Sequence, residues 1–138
     1  MTEQQQSACA ELARRMGWRT VQYRHIGTGS CWKLINPRNE EVESALASEV
    51  AAYFYAPDYF NSPVASRELM AWLAADDDRW FLFILQLIKL IDWPTQSAHK
   101  IADATFAEIA SEVRYLMTAP LPIIARAACK ALGIEVSE

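Results

Sequence analysis

The sequence is poor in the residue types that most often announce chemistry. Two histidines (His25, His99) and three cysteines (Cys9, Cys31, Cys129) are scattered through 138 residues, with no CxxC pair. Neither histidine has a His, Cys or carboxylate neighbour at helical metal-ligand spacing, so no metal site is expected. An odd number of distant cysteines does not make a disulfide framework, and a reducing cytosol is the expected setting. Basic residues are also in deficit, 13 against 17 acidic ones for a net charge of -4, which argues against the broad basic footprint of a duplex nucleic-acid binder. A long apolar run is lacking too. Trp80 to Ile91 is interrupted by Gln86 and Lys89, well short of the roughly 20 residues of a membrane-spanning helix. Met1 to Gln6 is polar rather than basic and then apolar, so no secretory leader, no membrane contact and a cytoplasmic location are expected.

What is present is an ordinary globular composition, 52% hydrophobic and 22% charged. A chain of this length buries about 68% of its unfolded surface, enough for a core without disulfides or metal. With no linker, repeat or low-complexity stretch, one domain over 1–138 is expected.

Apolar periodicity predicts a helix over Thr2 to Met16, with Ala8, Leu12, Ala13 and Met16 on one face and Gly17 as a left-handed cap. Trp18 to Ile26 and Cys31 to Ile35 read as an antiparallel hairpin around Gly27 to Ser30. After the turn Asn36-Pro37-Arg38-Asn39, a second helix is expected over Glu40 to Ala56, with Val42, Leu46, Val50 and Phe54 at four-residue steps. Ser62-Pro63 opens a third helix through Leu73. Trp80 to Ile91 suits a central strand or a buried helix. Helix is favoured because Arg79, Gln86 and Lys89 then share a face. Two more helical patterns follow, one through Phe106, Ile109, Val113, Leu116 and Met117. The other runs from Pro120 to Gly133, with Leu121, Ile124, Ala125, Ala128 and Leu132 inward and Arg126 and Lys130 outward. The fold class is α+β, a small sheet including an N-terminal hairpin and sandwiched by helices; the alternative is mostly α with one hairpin.

Four stretches together resemble a family of small, mostly uncharacterised phage and prophage proteins with an α-β-α (ABA) sandwich domain: LARRMGW (12–18), CWKLINP (31–37), PDYFNS (57–62) and PLPIIARAACKALG (120–133). The features matched are Gly17-Trp18, Trp32 with Pro37, Pro57-Tyr59-Asn61, and Arg126 in an alanine-rich C-terminal helix. The apolar 80–91 stretch departs from the pattern. The resemblance implies a sheet between helices and a phage accessory product working in a bacterial host cell, where such small proteins are frequently inhibitors. It supplies no catalytic residue.

The chemistry-bearing residues are few. Gly27-Thr28-Gly29-Ser30 has no following Lys or helix, so it reads as a hairpin turn and not a phosphate loop. Asp76-Asp77-Asp78 lacks the Gly turn and distal Glu of a calcium loop and reads as a solvated acidic loop. Cys31 would need His25 across the hairpin as its base, and a packed thiol is the simpler reading. No catalytic constellation or cofactor motif stands out, so a non-enzymatic protein is expected.

Charge is segregated: residues 1–38 hold six Lys and Arg against two acidic residues, and 39–138 hold seven against fifteen. A basic hairpin bearing Arg19, Arg24 and Lys33 beside Trp18, Tyr23 and Trp32 suits an anionic, stackable ligand such as a nucleotide. The aromatics Tyr53, Tyr55, Tyr59 and Phe60 around Pro57 suit an interface, between copies or with a partner, and Asp76, Asp77 and Asp78 add acidic surface. The leading expectation is a phage-encoded inhibitor docking, through those aromatics and acids, on a basic host or defence protein. Alanine at Tyr55, Tyr59 and Phe60 should then abolish capture without lowering the melting temperature. The rival expectation is a sponge that sequesters a nucleotide immune signal in the hairpin. A homo-oligomer is expected in either case.

Overall fold

The computed structural model describes residues 2–25, 27, 29–91 and 118–136. His99 and the helical pattern at 106–117 lie outside them. The fold is mixed α+β: a three-stranded antiparallel sheet of order β1-β2-β3 and, among the described residues, five helices. The chain divides into two compact units, Met1–Asp58 and Tyr59–Val136.

The first unit opens with α1 (Glu3–Arg15). Its start is fixed by a reciprocal cap: Thr2 Oγ1 accepts from the Gln5 N–H at 3.1 Å and Gln5 Oε1 accepts from the Thr2 N–H at 3.2 Å. Its end is fixed by Gly17 at φ 103°, with the Trp18 N–H donating to Ala13 O and the Gly17 N–H to Arg14 O. This pairing satisfies two otherwise orphaned carbonyls, and the left-handed residue it requires is cheap only for glycine. Ala8, Cys9, Leu12 and Ala13 form the buried stripe.

β1 (Arg19–His25) and β2 (Gly29–Ile35) pair from Arg19 opposite Ile35 to His25 opposite Gly29. The next turn is set by two asparagines. Asn36 Oδ1 accepts from the backbone N–H groups of Arg38 and Glu40 at 3.0 and 2.9 Å, and Asn39 takes the left-handed φ of 64° that Asn tolerates better than most residues. A three-residue loop closing on a left-handed residue returns the chain antiparallel to itself. β3 (Glu41–Leu46) therefore pairs with β2, with register shifts after Trp32 and after Leu34.

This corrects the helix expected over Glu40 to Ala56. Only α2 (Glu49–Tyr53) is helical there, started by Ser48, whose Oγ accepts from the Ala51 N–H at 3.0 Å. The four-step apolar series is consequently not a buried stripe: Val42, Val50 and Phe54 are exposed. The hairpin turn and the Ser48 cap outweighed a periodicity that rested on four residues.

The second unit holds α3 (Pro63–Ala74), α4 (Asp77–Leu90) and α5 (Leu121–Ala131), each packed on the other two. α3 starts as its sequence predicts, with Ser62 capping the Ala65 N–H at 3.3 Å and Pro63 in the first turn. The 80–91 stretch is helical, lying in α4 and its cap at Ile91. Tyr59, Phe60, Leu69, Leu73, Phe83 and Leu87 are wholly buried, and each is worth roughly 1.5–3 kcal/mol of transfer free energy. Small residues on α5, Ala125, Ala127 and Ala128, let it lie close against its neighbours, and Gly133 ends it as Gly17 ends α1. Arg126 departs from the outward placement expected for it. It is half-buried, and its Nε is enclosed. No helix among the described residues is long and apolar enough to cross a membrane.

Candidate functional site

Strand alternation decides what the hairpin can hold. Residues opposite one another in an antiparallel pair share a face, and neighbours along a strand do not. Arg19, Tyr23 and Lys33 therefore lie on one face, whereas Arg24 and Trp32 lie on the other. Lys33 Nζ sits 5.6 Å from the centre of the Tyr23 ring, and Arg19 Nη2 donates to Asn39 Oδ1 at 3.3 Å. Trp18, in the turn that ends α1, is half-buried. The six residues expected to form one nucleotide cradle are thus split by the pleat.

The Cys31 thiol is buried in β2, and the residue opposite it is Tyr23 rather than His25. Among the described residues, no three His, Cys, Asp or Glu side chains gather where they could hold a metal ion.

The expected aromatic interface also changes. Tyr59 and Phe60 are core residues of the second unit, each 0% exposed, and Tyr53 is buried in the first. None of the three can act as an exposed anchor, because a partner would reach them only by unfolding their surroundings. Tyr55 remains, half exposed, with Phe54 at 60% and Val50 at 67% beside it in sequence.

Asp76, Asp77 and Asp78 are exposed, yet they form a helix start rather than a loop. Asp76 Oδ1 accepts from the Arg79 N–H at 3.0 Å, and the other two occupy the first turn of α4, where the helix dipole favours carboxylates. Arg79 completes the corner: Nη2 donates to the Trp72 carbonyl at 2.8 Å, and the guanidinium lies 4.0 Å over the Trp72 ring. One four-residue segment thereby caps the end of α3 and the start of α4.

A concavity of about 320 Å³ lies between α1 and α2. One wall is the side of α1 that carries Glu3, Gln6, Ser7, Ala10 and Arg14. The other is α2 and its C-cap, through Val50, Tyr53 and Phe54. The α1 residues recur every three or four positions, so they form a single stripe, and Glu3 and Arg14 stand roughly 16 Å apart at the helical rise. Arg14 is held in place twice. Its guanidinium lies 4.3 Å over the buried Tyr53 ring, and Nη1 reaches Glu11 at 3.3 Å. Arg15 Nε shares Glu11 at 3.2 Å.

Sequence reasoning missed Glu3 and Arg14 and placed Val50 and Phe54 on the apolar face of a longer helix over Glu40 to Ala56. The signal against that face was Ser48-Glu49, a cap followed by an acidic first-turn residue, which starts the helix at 49 and leaves Val50 and Phe54 without a long face to pack. Comparison with family models, with curated proteins and with solved structures returns no match.

Proposed function

We propose that this chain is a non-enzymatic protein that binds a partner protein through the α1–α2 face, as an inhibitor of a bacterial host or defence factor in the host cytoplasm. The observation that carries the reading is the pair Val50 and Phe54, 67% and 60% exposed, bordering a formed groove. A large apolar pair left exposed on a short helix and its C-cap costs solubility when bare and gains by burial, which is how interface anchors behave. The resemblance to small phage proteins supports the biological setting. The docking aromatics are accordingly Phe54 and Tyr55, not Tyr59 and Phe60.

Native mass spectrometry of the full chain purified from a bacterial lysate is the test, followed by reconstitution with whatever protein is retained. The expected result is a complex of fixed stoichiometry that re-forms from pure components. Phe54→Asp should dissolve it without changing the melting temperature, and Phe81→Asp, on the exposed side of α4, should leave it intact. A complex that survives Phe54→Asp, or a bare homo-oligomer, overturns the reading. A releasable ligand of a few hundred daltons would also overturn it and would turn attention to Arg19, Tyr23 and Lys33.

A further inference from the structure

We propose that the solvent-facing side of α4 is a homodimer seam, on which a second copy of this chain lays its own α4 antiparallel to the first. None of the residues involved belongs to the α1–α2 face, so this dimer stands or falls separately from the partner reading above.

The face follows from helical geometry. α4 buries Phe83, Leu87 and Ile88 and packs on α3 and α5. At 3.6 residues per turn, Asp78, Leu82, Leu85 and Lys89 fall within about 60° of one another on the opposite side. Asp78, Leu82 and Lys89 are exposed and Leu85 is half-buried. Phe81, 63% exposed, borders the stripe on one side, and Gln86 borders it on the other. A surface helix ordinarily turns a polar face to solvent. Two leucines and a phenylalanine there are apolar surface that gains by being covered.

Spacing and charge select the cover. The four stripe residues are separated by four, three and four positions, the seam spacing of two helices packed side by side. The stripe is also its own complement, with an acid at one end, a base at the other and two leucines between. An antiparallel two-fold sets Asp78 of each copy against Lys89 of the other, and Leu82 against Leu85. Both Phe81 rings then lie along one flank of the seam and both Gln86 side chains along the other. Neither Asp78 nor Lys89 makes an ion pair among the described residues, so both charges are available to a second copy.

The alternatives are worse on the same residues. Parallel pairing would place Asp78 against Asp78 and Lys89 against Lys89, and would align the two helix dipoles unfavourably. Sliding the antiparallel pair by one heptad in either direction would set a leucine against a charge. One arrangement alone satisfies all four positions. Its size is modest, because a 14-residue helix is only about 21 Å long. A seam of that length lies at or below the lower end of stable interfaces, about 1,200 Å² in total, so a Kd of about 1–100 μM is expected.

Sedimentation equilibrium of the full-length protein in reducing buffer, from about 1 to 300 μM, is the test. The expected result is a monomer–dimer equilibrium. Leu82→Asp should weaken it at least about tenfold, without lowering the melting temperature of the dilute monomer. Lys89→Glu and Asp78→Lys should each weaken self-association about tenfold at low salt, since each dimer then carries two like-charge contacts. The loss should shrink as ionic strength rises. Mixing these two variants restores an acid facing a base at both ends, and the mixture should associate as the parent does. Lys89→Glu, exposed in the last turn, carries the charge test alone if Asp78→Lys loosens the start of α4. A protein that stays monomeric at 300 μM, or a dimer indifferent to Leu82→Asp, overturns the proposal. So does a dimer lost on Phe54→Asp instead, which would put the second copy on another face. Undiminished association of Lys89→Glu overturns the antiparallel register.

Discussion

Ser66 is 1% exposed in the middle of α3, and its hydroxyl has no hydrogen-bond partner among the described residues. A buried hydroxyl that has left water without a replacement bond costs roughly 1–3 kcal/mol. Ser66→Ala removes that cost, adds no volume and places a better helix former in the helix. The expected outcome is a gain of about 1 kcal/mol, read as a rise of about 3 °C in the thermal midpoint. A fall would mean that the hydroxyl is bonded in solution. Single residues of this kind were not legible in the sequence. A serine four positions after a Ser-Pro helix start carries no mark of burial, and Tyr59 and Phe60, beside prolines and a polar Asn61, look as much like interface residues as core. Burial is a property of where the chain returns to, and no local pattern records it.

Elements were read better than residues wherever their ends carry specific chemistry. Thr2, Gly17, Ser62 and Gly133 each sit where a cap or a left-handed residue is needed, and α1, α3 and α5 begin and end beside them. β3 was missed because its own six residues, EVESAL, carry little β preference, and the information lay in Asn36 and Asn39 before it. The α3–α4 corner offers a direct check on how much caps contribute. Asp76→Ala should destabilise the protein by about 1 kcal/mol in chemical denaturation, whereas Asp76→Asn, which keeps an acceptor oxygen, should cost less than half of that. Equal losses for the two would mean that the carboxylate's charge, rather than its hydrogen bond to Arg79, holds the helix start.

Across the whole molecule, the charge pattern seen along the chain is redistributed by folding. The boundary at residue 38, which separates a basic from an acidic segment, falls inside the first unit. Residues 1–58 hold six basic and seven acidic side chains, and 59–138 hold seven and ten. The arginines of β1 and the glutamates of β3 belong to one sheet, so neither compact unit carries a strong charge of one sign. The pleat likewise divides the residues expected for a nucleotide cradle, with Arg19, Tyr23 and Lys33 on one face and Arg24 and Trp32 on the other: the sequence showed which residues were near one another, and only the pleat showed which faced one another.

The three buried thiols give each unit its own clock. Cys9 on α1 and Cys31 on β2 belong to the first unit and Cys129 on α5 to the second, at 3%, 7% and 0% exposure, with no disulfide among them. An alkylating reagent reaches such a sulfur only while its surroundings are open, so labelling in native buffer should run at least about 100-fold slower than in denaturant. Cys9 and Cys31 should react at a common rate, and the mass shift of a peptide containing Cys129 should time the opening of the α3–α5 helices separately. Rapid modification of any one of them would show that its element is not closed in solution. Without an added probe, chemistry that looked like an absence of active-site residues becomes a recorder of how often each half of the chain breathes.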